Sequence, residues 1–335
     1  MSGSIAIVGA GQIGFAVAED FARDGWRVRV LSRTEPPWLA HLHEQDREAI
    51  EFEPFKVGQP NTPRADVVVD TIAYDEEDVV RYDPAFVGRL ILISSASVYR
   101  DSQGRSLDSA AVAGFPDFSD PVTEEQATVD PGPETYSTRK VRMENKAFDL
   151  FGEQATVIRP CAIYGPWSKH PREYWFVNRL KARRRIIPLA FDGNSQFHPT
   201  NVRMIGDFAR LATYEDLGGI FNLADGQAPK VREIGKRIAD QFGRRVRLYG
   251  LDGPPEGTVG RTPWSVPNPF LISSAKAIHA GLHWGDYEHY DPAEAIDWLR
   301  GQRFDNWQTA FPQLAGYPWD LFDFEAEDRF LDERL

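Results

Sequence analysis

Short apolar runs alternate with helically spaced segments through the first half of the chain. Ile5-Ala6-Ile7-Val8 is the first run. Phe15 to Arg23 then places apolar residues at helical spacing, Asp24-Gly25 breaks the pattern, and Val28-Arg29-Val30-Leu31 reads as a second strand. Asp66 to Asp70, Arg89 to Ser94 and Thr156 to Arg159 are further strand candidates. Unbroken apolar runs of this length, bounded by turn residues, suit strands covered on both faces. Their alternation with helices predicts an α/β fold, a doubly wound parallel sheet with helices on both sides.

The stretch from Tyr99 to Pro133 is rich in Asp, Ser, Gly and Pro and reads as a long loop. A helix is predicted from Tyr136 to Phe151. Beyond Gly165 the pattern is less regular. Pro171 to Arg185 reads as a basic, aromatic helix and Met204 to Leu211 as a short one. Gly219 to Leu223 reads as a strand and Val231 to Phe242 as another helix. The expected organisation is a nucleotide-binding domain over 1–165, with 219–242 returning to it. A smaller C-terminal substrate-binding domain is expected from 166–218 and 243–300, followed by an extension over 301–335. The tail from Trp319 mixes aromatics with acids. It reads either as a docked segment or as a solubilising end.

Composition narrows the function classes. The chain has 335 residues, 42% hydrophobic, with a formal net charge of −12. An acidic balance without a basic stripe argues against nucleic acid as partner. The single cysteine, Cys161, excludes a disulfide framework or a cysteine-based metal site. His170 and His198 have no partners at ligand spacing, so no metal is expected. No apolar run reaches bilayer length and no signal-peptide pattern opens the chain, so the expectation is a cytoplasmic protein with no membrane partner.

The first apolar run leads into Gly9-Ala10-Gly11-Gln12-Ile13-Gly14. A GxGxxG loop between a strand and a helix, inside a βαβ unit, is the context that a Rossmann dinucleotide site requires. Gly9 permits the tight turn, Gly11 lets a pyrophosphate approach the backbone, and Gly14 lets the helix sit close to the strand. The helix N-terminus faces the negative charge. At the end of the second strand the chain reads Leu31-Ser32-Arg33-Thr34, without the acid that usually holds an NAD ribose. Ser32 and Arg33 are suited to a 2′-phosphate, which favours NADP, with NAD the other possibility. Arg33 as a plain solvated loop residue is the rival reading.

Tyr136 and Lys140 stand four residues apart, about one helical turn, and so share a helix face. A buried ammonium beside a phenol lowers the phenol's pKa and fits it for proton transfer near neutral pH. An exposed helical pair is the alternative.

With these motifs in order, the chain resembles the extended short-chain dehydrogenases/reductases of the epimerase/dehydratase type, from Ile5 to about Leu299. Ser94-Ser95-Ala96-Ser97-Val98-Tyr99 is similar to the family's SSxxVY strand end. Arg159-Pro160-Cys161-Ala162-Ile163-Tyr164-Gly165-Pro166 is similar to its RPxxVYGP. Ser274-Ala275-Lys276 and Gly281-Leu282-His283-Trp284 resemble its C-terminal segment. The resemblance implies that Ser95 holds the substrate oxygen, Tyr136 transfers the proton and Lys140 binds the nicotinamide ribose. It implies cofactor contacts at Gly9, Gly11, Gln12, Ile13, Gly14, Ser32, Arg33, Ile72, Ala73, Tyr136, Lys140, Pro160 and Ile163. Cys161 is then a small hydrophobe near the nicotinamide.

The chain also departs from the family pattern. Ile7-Val8 stand where Thr-Gly is usual, and Ala162 stands where many sugar-nucleotide members carry Asn. Gln196 to Thr200 lacks the Arg that such members use for a substrate diphosphate. Arg183, Arg184 and Arg185 suit a phosphate or a solvated helix end. Trp167, Tyr174, Trp175, Phe176 and Trp264 suit an apolar substrate or plain packing. The expected function is an NAD(P)-dependent oxidoreductase acting on a carbonyl or alcohol of a small molecule, as a monomer or homodimer. The alternatives are a sugar-nucleotide epimerase or dehydratase with tightly bound NAD, and a non-enzymatic cofactor sensor.

Overall fold

The computed structural model describes residues 3–56 and 63–335. Its largest feature is a seven-stranded sheet. Six strands are β1 (Ser4–Val8), β2 (Arg27–Ser32), β3 (Ile50–Pro54), β4 (Ala65–Asp70), β5 (Val87–Ile93) and β6 (Ala155–Pro160), and Gly219–Leu223 is the seventh. The seventh strand pairs with β6, and the order continues β6-β5-β4-β1-β2-β3, with every pairing parallel. Ile5, Ala6, Ile7 and Val8 have no exposed surface, which is why this strand is apolar throughout and does not alternate.

Helices cover both faces. The Gln12–Arg23 helix packs on the Val202–Tyr214 helix, and a Cβ on Gly206 would come 3.2 Å from the Ala16 backbone. Only a residue without a side chain permits that approach. On the other face Met143, Ala147 and Phe151 of the Tyr136–Phe151 helix join Val68, Leu90 and Leu92 in one core. Burying Met143 and Phe151 contributes on the order of 1.5–3 kcal/mol each. The strand order reverses between β1 and β4, and their carboxyl ends open a crevice there.

The chain divides into two compact units. The first holds the described residues up to Ile163, with Thr200–Ala224 and Ile272–Gly285; the second holds Tyr164–Pro199, Asp225–Leu271 and Asp286–Leu335. This corrects the expected boundaries. The Val202–Tyr214 helix is tied to the first unit by its packing on Gln12–Arg23. The Val231–Gln241 helix instead packs on Tyr174–Lys181 in the second.

The second unit contains a small parallel pair, Ile186–Leu189 with Arg247–Gly250. The helix expected over Pro171–Arg185 spans only Tyr174–Lys181, because Arg183 turns to a φ of 59°. The tail docks within this unit. Its helix, Phe324–Asp332, buries Phe330 against Leu251 and Val259, and Glu327 accepts from Arg179 Nε at 3.0 Å. The region 301–335 is therefore part of the second unit and not a separate extension.

Candidate active site

Three loops meet the crevice from the carboxyl ends of β1, β4 and β5. After β1, Gly9 adopts a φ of 105°, and a Cβ there would lie 2.3 Å from Thr71 Oγ1. A Cβ on Gly14 would lie 2.1 Å from the Gly9 carbonyl oxygen, so helix and loop are in backbone contact. Gly11 is different, since a Cβ there meets nothing within 4 Å. It caps the Gln12–Arg23 helix with no side-chain hydrogen bond, and no acid lies in the first turn. The Gln12 side-chain oxygen is buried without a hydrogen-bond partner among the described residues. Ile13 is buried on the helix. Open space at Gly11, uncapped amides and an orphaned polar atom fit the diphosphate of a dinucleotide. Trp38, fully buried, braces the loop by donating from Nε1 to the Ala10 carbonyl at 3.0 Å.

After β4 the loop is shaped by Asp70, which the sequence pattern marks only as the end of a strand. Its carboxylate accepts from the Ile72 and Ala73 amides at 2.8 and 2.7 Å and from Tyr82 Oη at 2.6 Å. Burial pushes its pKa up despite these donors. Ile72 and Tyr74, 43% and 41% exposed, are thereby held out into the open.

After β5, Ser95 begins a short turn and accepts from the Ser97 amide at 3.1 Å. Its side chain favours the ionised form of the Tyr136 phenol, against the effect of burial. Tyr136 is the first residue of its helix, whose N-terminus is closed by a reciprocal Thr135–Thr138 cap. Ser137 fixes the placement: it is fully buried, donates to Ser97 Oγ at 2.9 Å, and its amide donates to Asp108 at 2.8 Å. Lys140 is buried, donates to the Ala73 and Ile93 carbonyls at 2.6 and 2.9 Å, and its Nζ lies 5.6 Å from the Tyr136 ring centroid. Ser95, Tyr136 and Lys140 thus come together, and Lys140 also ties the β4 loop to the end of β5.

The expected electrostatics need correction. Although the Tyr136 ring is 39% exposed, desolvation where the surrounding loops crowd it pushes the phenol up to about 12, only partly offset by Ser95. Lys140 is not among the main influences on it: its ammonium donates to two carbonyls and is itself pushed down to about 8 by burial. A phenol shifted in this direction is neutral at physiological pH and can give a proton.

Below these groups lies a buried polar network. Glu144, one turn past Lys140, accepts from Ser94 Oγ at 2.5 Å and from Arg159 at 2.9 and 2.5 Å. Arg159 lies 4.9 Å from the Tyr99 ring centroid, and Tyr99 Oη donates to Asn222 at 2.7 Å. The i, i+4 spacing of Lys140 and Glu144 was the signal available in the sequence.

The remaining expected residues lie at the strand ends. Pro160 closes β6, and Ile163 is half-buried, its amide donating to the Cys161 carbonyl at 3.0 Å. Cys161 is half-buried, not fully so, and its amide donates to Thr200 Oγ1 at 3.0 Å. Ser32 Oγ donates to the Thr34 carbonyl at 2.6 Å, and Arg33 is exposed with no ion pair among the described residues. The aromatics Tyr174, Trp175, Phe176 and Trp264 are buried core of the second unit, which removes them as a substrate signal. Within the second unit His198 Nε2 donates to the Asp225 carbonyl at 2.8 Å, so it serves the fold. Among the described residues no cluster of His, Cys, Asp or Glu is placed to hold a metal, and no helix is long and apolar enough to cross a membrane.

No protein-family model matches the chain. A curated relative, ceramide reductase of Caulobacter vibrioides, is 29% identical over 288 residues, covering 82% of this chain and 84% of that protein. Among solved structures, the UDP-N-acetylglucosamine 4-epimerase of Methanobrevibacter ruminantium, in complex with UDP-N-acetylmuramic acid, superposes with a TM-score of 0.66 at 15% identity. It covers 90% of this chain and 99% of its own. The dTDP-glucose 4,6-dehydratase of Bacillus anthracis, in complex with NAD, gives a TM-score of 0.63 at 15% identity, covering 92% and 99%. The chain shares the Rossmann-like α/β fold of these epimerase and dehydratase structures.

Proposed function

We propose that the protein is an oxidoreductase that uses a nicotinamide dinucleotide to reduce a carbonyl, or oxidise the corresponding alcohol, of a small molecule. The observation that carries this reading is the convergence of Ser95, Tyr136 and Lys140 beside an open, uncapped glycine loop. The dinucleotide, when bound, supplies or accepts the hydride. The Gly9–Gly14 loop and Gln12 would hold its diphosphate, and Lys140, with Ile72, Ala73, Pro160 and Ile163, would line its nicotinamide end.

In the reductive direction the Ser95 hydroxyl and the Tyr136 phenol both donate to the substrate oxygen, where negative charge develops. A neutral phenol then gives its proton to that oxygen, a far stronger base than phenolate. Lys140 keeps the β4 loop and the end of β5 in register and places a positive charge near Tyr136 below about pH 8. Arg33, exposed beside Ser32 and without an ion pair among the described residues, favours NADP over NAD.

For the substrate, Ile72, Tyr74 and Tyr136 offer apolar surface at the crevice. That chemistry, with the name of the ceramide reductase relative, favours a carbonyl on a long-chain amide lipid. A second reading, a sugar-nucleotide epimerase or dehydratase, is favoured by the ligands named for the solved structures. Against it stand Ala162 and a Gln196–Thr200 stretch whose polar groups are committed internally: Gln196 donates to the Ala228 carbonyl at 2.7 Å and Thr200 to the Leu223 carbonyl at 2.7 Å. The two readings separate in one assay. NADPH oxidation on adding an oxidised ceramide, with no change to UDP-glucose, supports the first. Conversion of a sugar nucleotide without added cofactor, and no NADPH oxidation with any carbonyl lipid, overturns it.

A further inference from the structure

Five arginines gather on one face of the second unit. Two helices, Tyr174–Lys181 and Val231–Gln241, each end in an arginine-bearing turn: Arg183-Arg184-Arg185 and Arg244-Arg245. The turns lead into the paired parallel strands, with Arg247 in register with Ile186, so they lie side by side. Together they line a concavity of about 530 Å³.

The charge there is not balanced. Arg184 pairs with Glu327 at 3.2 Å and with Asp328. Arg183, Arg185, Arg244 and Arg245 are exposed and make no ion pair among the described residues, and Asp240, one turn before Arg244, pairs with none of them. Two helix C-termini contribute roughly half a negative charge each, so about three positive charges stay unmatched. Helix-end preference explains one or two such cations, not four around one hollow. In a chain of net charge −12 a local excess of this sign is opposed to the overall balance. Guanidinium forks match phosphate oxygens two at a time.

We infer that this concavity is an anion site for a phosphate-bearing ligand, built wholly from the second unit and additional to the crevice. The phosphate belongs either to a free anion or to a lipid headgroup, and two probes separate these sources. The full-length protein is titrated with pyrophosphate by calorimetry. It is also sedimented with phosphatidylcholine vesicles, with and without phosphatidylglycerol.

Saturable, salt-sensitive binding of pyrophosphate identifies a free anion, and pelleting only with phosphatidylglycerol identifies a headgroup; either supports the site. R183Q/R185Q/R244Q/R245Q should weaken that binding at least about tenfold while leaving the melting temperature and dinucleotide affinity unchanged. If the quadruple variant does not fold, the two pairs R183Q/R185Q and R244Q/R245Q are each expected to show a partial loss. No pyrophosphate binding together with pelleting no greater on phosphatidylglycerol than on pure phosphatidylcholine, or unaltered binding by the folded variants, overturns the inference.

Discussion

Arg159 and Glu144 grip each other at two points in a dry interior, with Nε and Nη2 at 2.9 and 2.5 Å from the two carboxylate oxygens. The pair joins the end of β6 to the helix that carries Tyr136 and Lys140. Leaving one buried charge unpaired costs more than removing both. Glu144→Leu or Arg159→Met alone should lower stability by about 3–5 kcal/mol, and the double variant should recover part of that loss. Urea unfolding measures all three. A single variant costing less than about 1 kcal/mol would contradict the role given to this pair.

The fingerprint glycines should separate folding from binding. At Gly11 an added Cβ meets open space, so Gly11→Ala should melt like the wild type yet bind a dinucleotide at least about tenfold more weakly. At Gly14 the Cβ strikes the Gly9 carbonyl, so Gly14→Ala should also lose about 1–3 kcal/mol of stability. Calorimetric melting and fluorescence titration of the two variants check this. Equal behaviour would show that the loop does not meet its ligand at Gly11.

These glycines were legible in the sequence because a strand, a tight turn and a helix leave local signatures. So were the buried strands and the Tyr136–Phe151 helix. β3 was not, because Ile50-Glu51-Phe52-Glu53 is an edge strand with polar positions and no continuous apolar run. Unit boundaries are not legible in the sequence because they depend on which helices pack together, as with Val202–Tyr214 on Gln12–Arg23. Of the site, residue identities were readable but their electrostatics were not. Whether Lys140 acts on Tyr136 depends on where its ammonium points, and the Ala73 and Ile93 carbonyls settle that only in three dimensions.

Lys140 gives a pH dependence. Burial lowers its folded-state pKa to about 8, below its ordinary 10.5. The folded protein therefore loses this charge first, and its own contribution to stability rises with pH between those values. The charge, which the proposed function sets near the nicotinamide end, is present below about pH 8 and lost above it. Dinucleotide affinity should accordingly fall as pH rises through that region, and Lys140→Met should bind more weakly with no such inflection. An unchanged inflection in the variant would assign it to another group.

Arg33 tests the cofactor preference. Its guanidinium is exposed and makes no ion pair among the described residues, so Arg33→Ala should leave stability unchanged. NADPH affinity should fall by about 1.5–3 kcal/mol while NADH affinity stays the same. Parallel fluorescence titrations decide it, and equal losses for both dinucleotides would remove Arg33 from the 2′-phosphate.

The most direct test is single-turnover oxidation of bound NADPH by a carbonyl substrate in Tyr136→Phe. The substitution keeps the ring packed near Tyr74 and deletes only the hydroxyl. Removal of a positioned acid costs about 10²–10⁴ in rate. The expected result is a loss in that range with dinucleotide affinity and melting temperature preserved. A turnover rate within a few-fold of wild type would contradict proton donation by Tyr136, and with it the reading of Ser95, Tyr136 and Lys140 as a catalytic unit.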